Sequence, residues 1–181
     1  MIKKHIPIVL LILTTSMLSA QLRLGADLGG QIGAKVDGED VSSNMKMGIS
    51  LAYDHMFSDM VGAGIEYQLG RSSDEDDDDS ELSLITVYGV GNYNINDKMA
   101  AKVRVGYAVK ASLGDAVEEM GADLKGGLMF GLGVGYGISD NLGLDVGYYS
   151  NAFSADISFM GESMSFDYKY TRIQAGLTYS F

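Results

Sequence analysis

From Leu22 to Phe181 the chain alternates apolar side chains with polar or very small ones, stretch after stretch. Such alternation sends successive side chains to opposite faces, which is the period of a β-strand. The first stretch sets Leu22, Leu24, Ala26, Leu28, Ile32, Ala34 and Val36 against Arg23, Gly25, Asp27, Gly29, Gln31, Gly33 and Lys35. The second sets Met45, Met47, Ile49, Leu51 and Tyr53 against Lys46, Gly48, Ser50, Ala52 and Asp54. Then Val61, Ala63, Ile65, Tyr67 and Leu69 oppose Gly62, Gly64, Glu66 and Gln68. Over residues 82–93 two registers compete: Leu84, Thr86, Tyr88 and Val90, or Ile85, Val87, Gly89 and Gly91. A bulge would reconcile them. Further on, Val103, Val105, Tyr107, Val109 and Ala111 oppose Lys102, Arg104, Gly106, Ala108 and Lys110. Leu128 to Ile138 alternates with Gly127, Met129 and the glycines 131, 133, 135 and 137. Leu142, Leu144, Val146 and Tyr148 oppose Gly143, Asp145, Gly147 and Tyr149. Last, Ile173, Ala175, Leu177, Tyr179 and Phe181 oppose Arg172, Gln174, Gly176, Thr178 and Ser180. That makes eight strands, with no helical period competing beyond the first 20 residues.

The links between them alternate in length. Residues 55–59, 94–98 and 139–141 are tight turns. Residues 37–43, 70–81, 114–123 and 150–165 are longer and polar, and hold most of the acids. Strictly interleaved long and short links predict an antiparallel up-and-down meander with both termini and all short turns at one end. Eight such strands close into a barrel, which removes the sheet edges.

Residues 1–20 read as an export signal rather than as part of the barrel. Lys3 and Lys4 form a charged start, residues 6–13 an apolar core, and residues 16–20 a small-residue end. Cleavage after Ala20 leaves 21–181 as the barrel, with 11 bases against 24 acids. So acidic a chain has no basic face for nucleic acid. The absence of Cys excludes disulfides and thiolate metal sites, and suits a protein crossing an oxidising compartment.

Two kinds of exported eight-stranded barrel differ in polarity: a soluble one is apolar inside, a membrane one apolar outside. Apolar faces marked by Tyr near the strand ends, and opposite faces mixing Gly with both signs of charge, favour the membrane. So do strands of about 10 residues, the length of a tilted membrane strand. The C-terminus is more specific: Ile173, Ala175, Leu177, Tyr179 and the terminal aromatic Phe181 resemble the recognition strand of bacterial outer-membrane barrels. Residues 21–181 as a whole resemble the small OmpA/OmpX-like barrel family. The resemblance implies an all-β, eight-stranded transmembrane β-barrel in the outer membrane. It would be monomeric, in contact with outer-membrane lipids and lipopolysaccharide, and assembled through Tyr179 and Phe181 by the barrel assembly machinery. The chain stops at the barrel, so a peptidoglycan-binding domain of the OmpA type is not expected.

With the polar faces turned inward, the lumen receives Arg23, Lys35, Lys46, Lys102, Arg104, Lys110, Lys125 and Arg172, and the acids Asp27, Asp54, Glu66 and Asp145. So small a lumen is nearly filled by side chains. Its charges must pair or meet water. The simple expectation is an ion-pair plug, and the rival is a narrow conduit leaning toward anions because bases exceed acids. The run Asp74, Glu75, Asp76, Asp77, Asp78 and Asp79 offers hard oxygen ligands to a divalent cation such as calcium. It lacks the Gly and spaced Glu of a preorganised loop, so binding there is expected to be weak, and a solvated self-repelling loop is the simpler reading. The glycines at 131, 133, 135 and 137 share one strand face, unlike a phosphate loop, and leave room for bulky neighbours. No cofactor is expected. Catalysis is not expected either: His5 leaves with the signal, and His55 sits in a turn at the far end from the exposed loops. The function expected is structural and interactive, a barrel displaying acidic extracellular loops, with a narrow channel as the alternative.

Overall fold

The computed structural model describes residues 20–36, 39–72, 81–113, 123–159 and 162–181. They form nine antiparallel strands: β1 (Ala20–Val36), β2 (Glu39–Met45), β3 (Gly48–Met56), β4 (Val61–Arg71), β5 (Leu82–Asn94), β6 (Met99–Ser112), β7 (Asp123–Gly137), β8 (Leu142–Phe159) and β9 (Glu162–Ser180). β2 and β3 are successive halves of one barrel strand, since both pair with β1, the former above and the latter below. β1 also pairs with β9, so the sheet closes as an eight-stranded barrel.

The three short turns repeat one local solution. Phe57, Ile95 and Ile138 each donate their N–H to the carbonyl four residues on, at 2.9, 2.8 and 2.8 Å. Ser58, Asn96 and Ser139 follow them, and each side-chain oxygen accepts from the N–H three residues on, at 3.1, 2.9 and 3.2 Å. Each of these is followed by Asp, in the pairs Ser58–Asp59, Asn96–Asp97 and Ser139–Asp140. Short oxygen-bearing side chains that satisfy the turn's own donors make these hairpins locally determined. Ala20 and Phe181 lie at the same end, where Phe181 N–H donates to Ala20 C=O at 2.9 Å.

In the half of the barrel nearest these turns, period two holds without a break. Leu24, Leu51, Ile65, Val105, Leu132, Val146 and Leu177 are exposed on the outer wall. Tyr53, Tyr136 and Tyr179 mark its lower margin, and Tyr67, Tyr107 and Tyr148 its upper one, all outward. In the other half, four irregularities reverse the faces. Pairing shifts between Asp27 and Gly29 in β1, between Gln68 and Arg71 in β4, between Ile85 and Thr86 against β6, and between Gly126 and Met129 in β7. A bulge leaves a residue unpaired and turns every later side chain to the opposite face.

Several expectations are corrected by these bulges. Ile32 turns inward, where it packs against buried side chains. Lys110 and Lys125 turn outward, and Ala111 replaces Lys110 on the inner face. The 82–93 ambiguity resolves with Leu82, Leu84, Thr86, Tyr88 and Val90 inward. The bulge lies in the partner strand, which has one more residue at Val109. At residues 46–47 the second barrel strand breaks, so Met45 is buried and Lys46 exposed, opposite to the even alternation. Two of the expected long loops are shorter than their polarity suggests. Much of 37–43 is β2, and residues 150–159 and 162–165 form the top of β8 and β9. Polar residues there reflect strands that rise beyond the apolar band, not the end of strand structure.

Candidate functional site: the barrel lumen

The inward faces bring together residues far apart in sequence. Tyr149 sits at the centre, fully buried, with the guanidinium carbons of Arg23, Arg104 and Arg172 at 5.7, 5.7 and 4.8 Å from its ring centroid. Around it run two connected groups of ion pairs. In one, Arg172 meets Glu66 at 2.9 Å and Asp27 at 3.3 Å, and Arg23 meets Glu66 at 3.5 Å. Arg71 pairs with the same Asp27 and donates to Tyr170 Oη at 2.8 Å. Gln174 Nε2 donates to Asp27, Glu66 and Ser50 at 3.0, 3.0 and 2.8 Å, and Gln174 accepts from Arg23. Arg172 also donates to Asn151 Oδ1 at 2.6 Å.

In the second group Arg104 lies 3.4 Å from Asp54 and 3.3 Å from Asp145. It also donates to Tyr149 Oη at 2.6 Å. Lys102 meets Asp145 at 2.8 Å, and Tyr88 Oη donates to Asp54 at 2.5 Å. Glycines make the space: a Cβ on Gly131 would stand 2.6 Å from the Tyr149 ring, and one on Gly64 would run into Asp54 Oδ1. Of the glycines expected to leave room for bulky neighbours, Gly131 does so for Tyr149 and Gly135 for Lys102, whereas Gly133 and Gly137 face backbone.

Among the described residues, four buried bases (Arg23, Arg71, Arg104 and Arg172) face four buried acids (Asp27, Asp54, Glu66 and Asp145). Lys102 is a fifth base, 11% exposed at the edge of the network. The expected excess of eight bases over four acids thus shrinks to five over four. Lys46 and Lys125 stand outside the lumen, Lys125 58% exposed and 2.5 Å from Asp156. Hydrogen bonds from Lys125 and Ser165 hold the Asp156 carboxyl below its usual range. Arg71 is a lumen base that the alternation does not reveal, because it falls in the polar stretch 70–81 beyond the last apolar residue, Leu69. Gly70 before it, at the end of an apolar alternation, was the available sign of a bulge.

Above and below the network the lumen changes character. Toward the long connections, Met45, Leu82, Leu84, Ala108, Ala111, Phe153 and Tyr170 form a buried apolar layer, with Ile32, Leu113, Leu124 and Tyr168 packed on it. Phe153 stacks on Tyr168 with centroids 5.2 Å apart. Toward the short turns the lumen opens into a vestibule of about 530 Å³ lined by Gln21, Asn92, Asn94, Lys102, Thr178 and Ser180 among others. Lys102, one of its lining residues, pairs with Asp145 at 2.8 Å.

Residues 73–80, and with them the acidic run from Asp74 to Asp79, lie outside the described residues, as does the proposed signal up to residue 19; the Lys35 side chain is likewise not described. Among the described residues no three His, Cys, Asp or Glu gather as metal ligands. His55 is on the outer face at the turn end, its ring edge-on to Phe57 at 5.2 Å. Tyr179 and Phe181 are both outward, in edge-to-face contact at 5.1 Å.

The family model described as outer membrane protein beta-barrel domain matches residues 7–181. No curated protein matches the chain by sequence. Among solved structures, the neisserial surface protein NspA superposes with a TM-score of 0.61 at 13% identity, covering 90% of this chain and 97% of its own. The outer membrane protein AlkL, solved in lipid bilayers, gives 0.56 at 13% identity, with 90% of each chain covered. A de novo designed transmembrane β-barrel gives 0.53 at 13% identity, covering 91% of this chain and 96% of its own. At these identities the likeness is one of fold.

Proposed function

The chain belongs to the family of outer membrane protein beta-barrel domains and resides in the bacterial outer membrane, and from that premise we propose that it is a sealed, non-catalytic barrel that displays its long connections at the cell surface. The observation that carries this reading is the filled lumen. Among the described residues every buried carboxylate has a base within salt-bridge distance, at 3.3, 3.4, 2.9 and 2.8 Å for Asp27, Asp54, Glu66 and Asp145. The apolar layer above them would have to be wetted before an ion could pass. With five bases against four acids, and Lys102 itself paired with Asp145, the large excess of bases that an anion-leaning conduit would need is reduced to one. Past the apolar band β8 and β9 continue as a paired hairpin to Phe159 and Glu162, and β1 and β2 rise beside it. Such raised strands are built to present surface rather than to line a pore. Purified barrel in a planar bilayer is expected to show no resolved single-channel steps at neutral pH. Regular, ohmic steps would overturn the sealed reading in favour of a narrow channel.

Assembly as a monomer through the C-terminal strand belongs to the same proposal. Phe181 is half exposed, and its side chain lines an outer apolar groove with Ala20, Leu22 and Tyr53. Phe181→Ala removes little buried area, so the folded barrel is expected to lose only about 1 kcal/mol, the value of one aromatic pair. Its steady-state level in the outer membrane is nonetheless expected to fall severalfold, with the chain degraded before insertion. A pulse-chase with membrane fractionation checks this, and an unchanged insertion rate removes Phe181 from the assembly signal.

A further inference from the structure

We propose that Lys110, with Ser83 and Ser112, forms an outward-facing site for a phosphate group on the glycolipid of the outer leaflet. The bulge at Val109 turns this lysine out of the lumen, where simple alternation would have put it. Bulges recur where a side chain has to be re-aimed. The position is specific in height. Tyr67, Ile85 and Lys110 lie in one row across β4, β5 and β6, and Ser83 faces Ser112 in the next row up. The lysine therefore stands level with the upper tyrosine margin of the apolar wall, with hydroxyls directly above it. That is where acyl chains give way to headgroups.

Together Tyr67, Ser83, Leu84, Ile85, Lys110 and Ser112 line a groove of about 330 Å³ that opens sideways from the barrel. Among the described residues no carboxylate forms an ion pair with Lys110, in a chain with 24 acids. The other outward lysine on the adjacent strand, Lys125, has Asp156. An ammonium beside hydroxyl groups suits a tetrahedral oxyanion, which takes a point charge and several hydrogen bonds at once. The groove faces the bilayer and not the solution, so the anion it meets is one carried by a lipid. This inference needs only the outer-membrane location and is independent of whether the lumen conducts.

The test uses the full barrel in detergent, titrated with bisphosphorylated lipid A and followed by native mass spectrometry. Wild type is expected to retain one lipid, and Lys110→Gln to weaken that retention about fivefold, the weight of one lysine at an anionic lipid surface. Lys110→Arg should restore it, and Lys169→Gln, elsewhere on the rim, should leave it unchanged. Lipid A stripped of phosphate should bind wild type no better than Lys110→Gln does. Equal retention of phosphorylated lipid by wild type and Lys110→Gln overturns the proposal, as does equal binding of the stripped lipid by wild type. Displacement by equimolar inorganic phosphate would assign the groove to a dissolved anion and overturn the lipid assignment. The heat-dependent gel shift of the folded barrel confirms that each variant compared is folded.

Discussion

A chain carrying both Tyr149→Ala and Phe153→Ala will conduct ions in a planar bilayer, and a chain carrying either change alone will not. The reason is that two barriers of different chemistry lie in series. Tyr149 is the body around which Arg23, Arg104 and Arg172 are arranged, and its neighbours Gly131 and Gly147 bring no Cβ to close the gap. Removing the ring opens a void that water can enter, since polar groups line it. The apolar layer above still blocks passage. Phe153 belongs to that layer, stacked on Tyr168. Removing it alone thins the layer but leaves the ion pairs intact. Each truncation should cost about 3–5 kcal/mol, as for a buried aromatic replaced by alanine. The hydrogen-bonded wall is untouched, so the gel-shift assay should still report a folded barrel. Conductance from the Tyr149 variant alone would show that the apolar layer is not a barrier.

Arg172→Met should destabilise the barrel by about 3–5 kcal/mol, the cost of breaking a buried ion pair from one side. Methionine fills much of the volume, so the loss is one of charge and hydrogen bonds. Arg172 touches both carboxylates of its group, Asp27 at 3.3 Å and Glu66 at 2.9 Å, and holds Asn151 at 2.6 Å. Without it Arg23 alone faces Glu66, at 3.5 Å. Adding Glu66→Gln should recover a large part of the loss, because it removes the charge left with too little compensation. Equilibrium urea unfolding in lipid vesicles, followed by circular dichroism and gel shift, measures both variants. A loss under about 1 kcal/mol for Arg172→Met, the level of an exposed pair, would mean that the lumen is wetter than its burial implies.

Which residues meet in the lumen was partly legible. Arg23, Asp27, Asp54, Glu66, Lys102, Arg104, Asp145 and Arg172 all fall on the polar phase of the alternation, and all face inward. Tyr149 falls on the same phase. Their pairing was not legible. Arg172 and Glu66 are 106 residues apart, and Arg104 and Asp145 are 41 apart. Such contacts depend on the tilt and stagger of strands around a closed barrel, which no short-range pattern encodes.

The division between sequence and tertiary structure follows the barrel axis. Near the short turns, alternation and the Ser/Asn–Asp turn pairs determine strand, face and hairpin locally, because each turn satisfies its own donors and each step of one residue changes face. Farther out, Ile32, Met45, Arg71, Lys110 and Lys125 depart from the simple alternation, each beyond a bulge or break. A bulge adds one residue to one strand only, so it exists as a relation between two strands and leaves almost no mark in either. Pairing across the sheet decides where it falls, and thereby which lysines turn outward and which arginine enters the lumen.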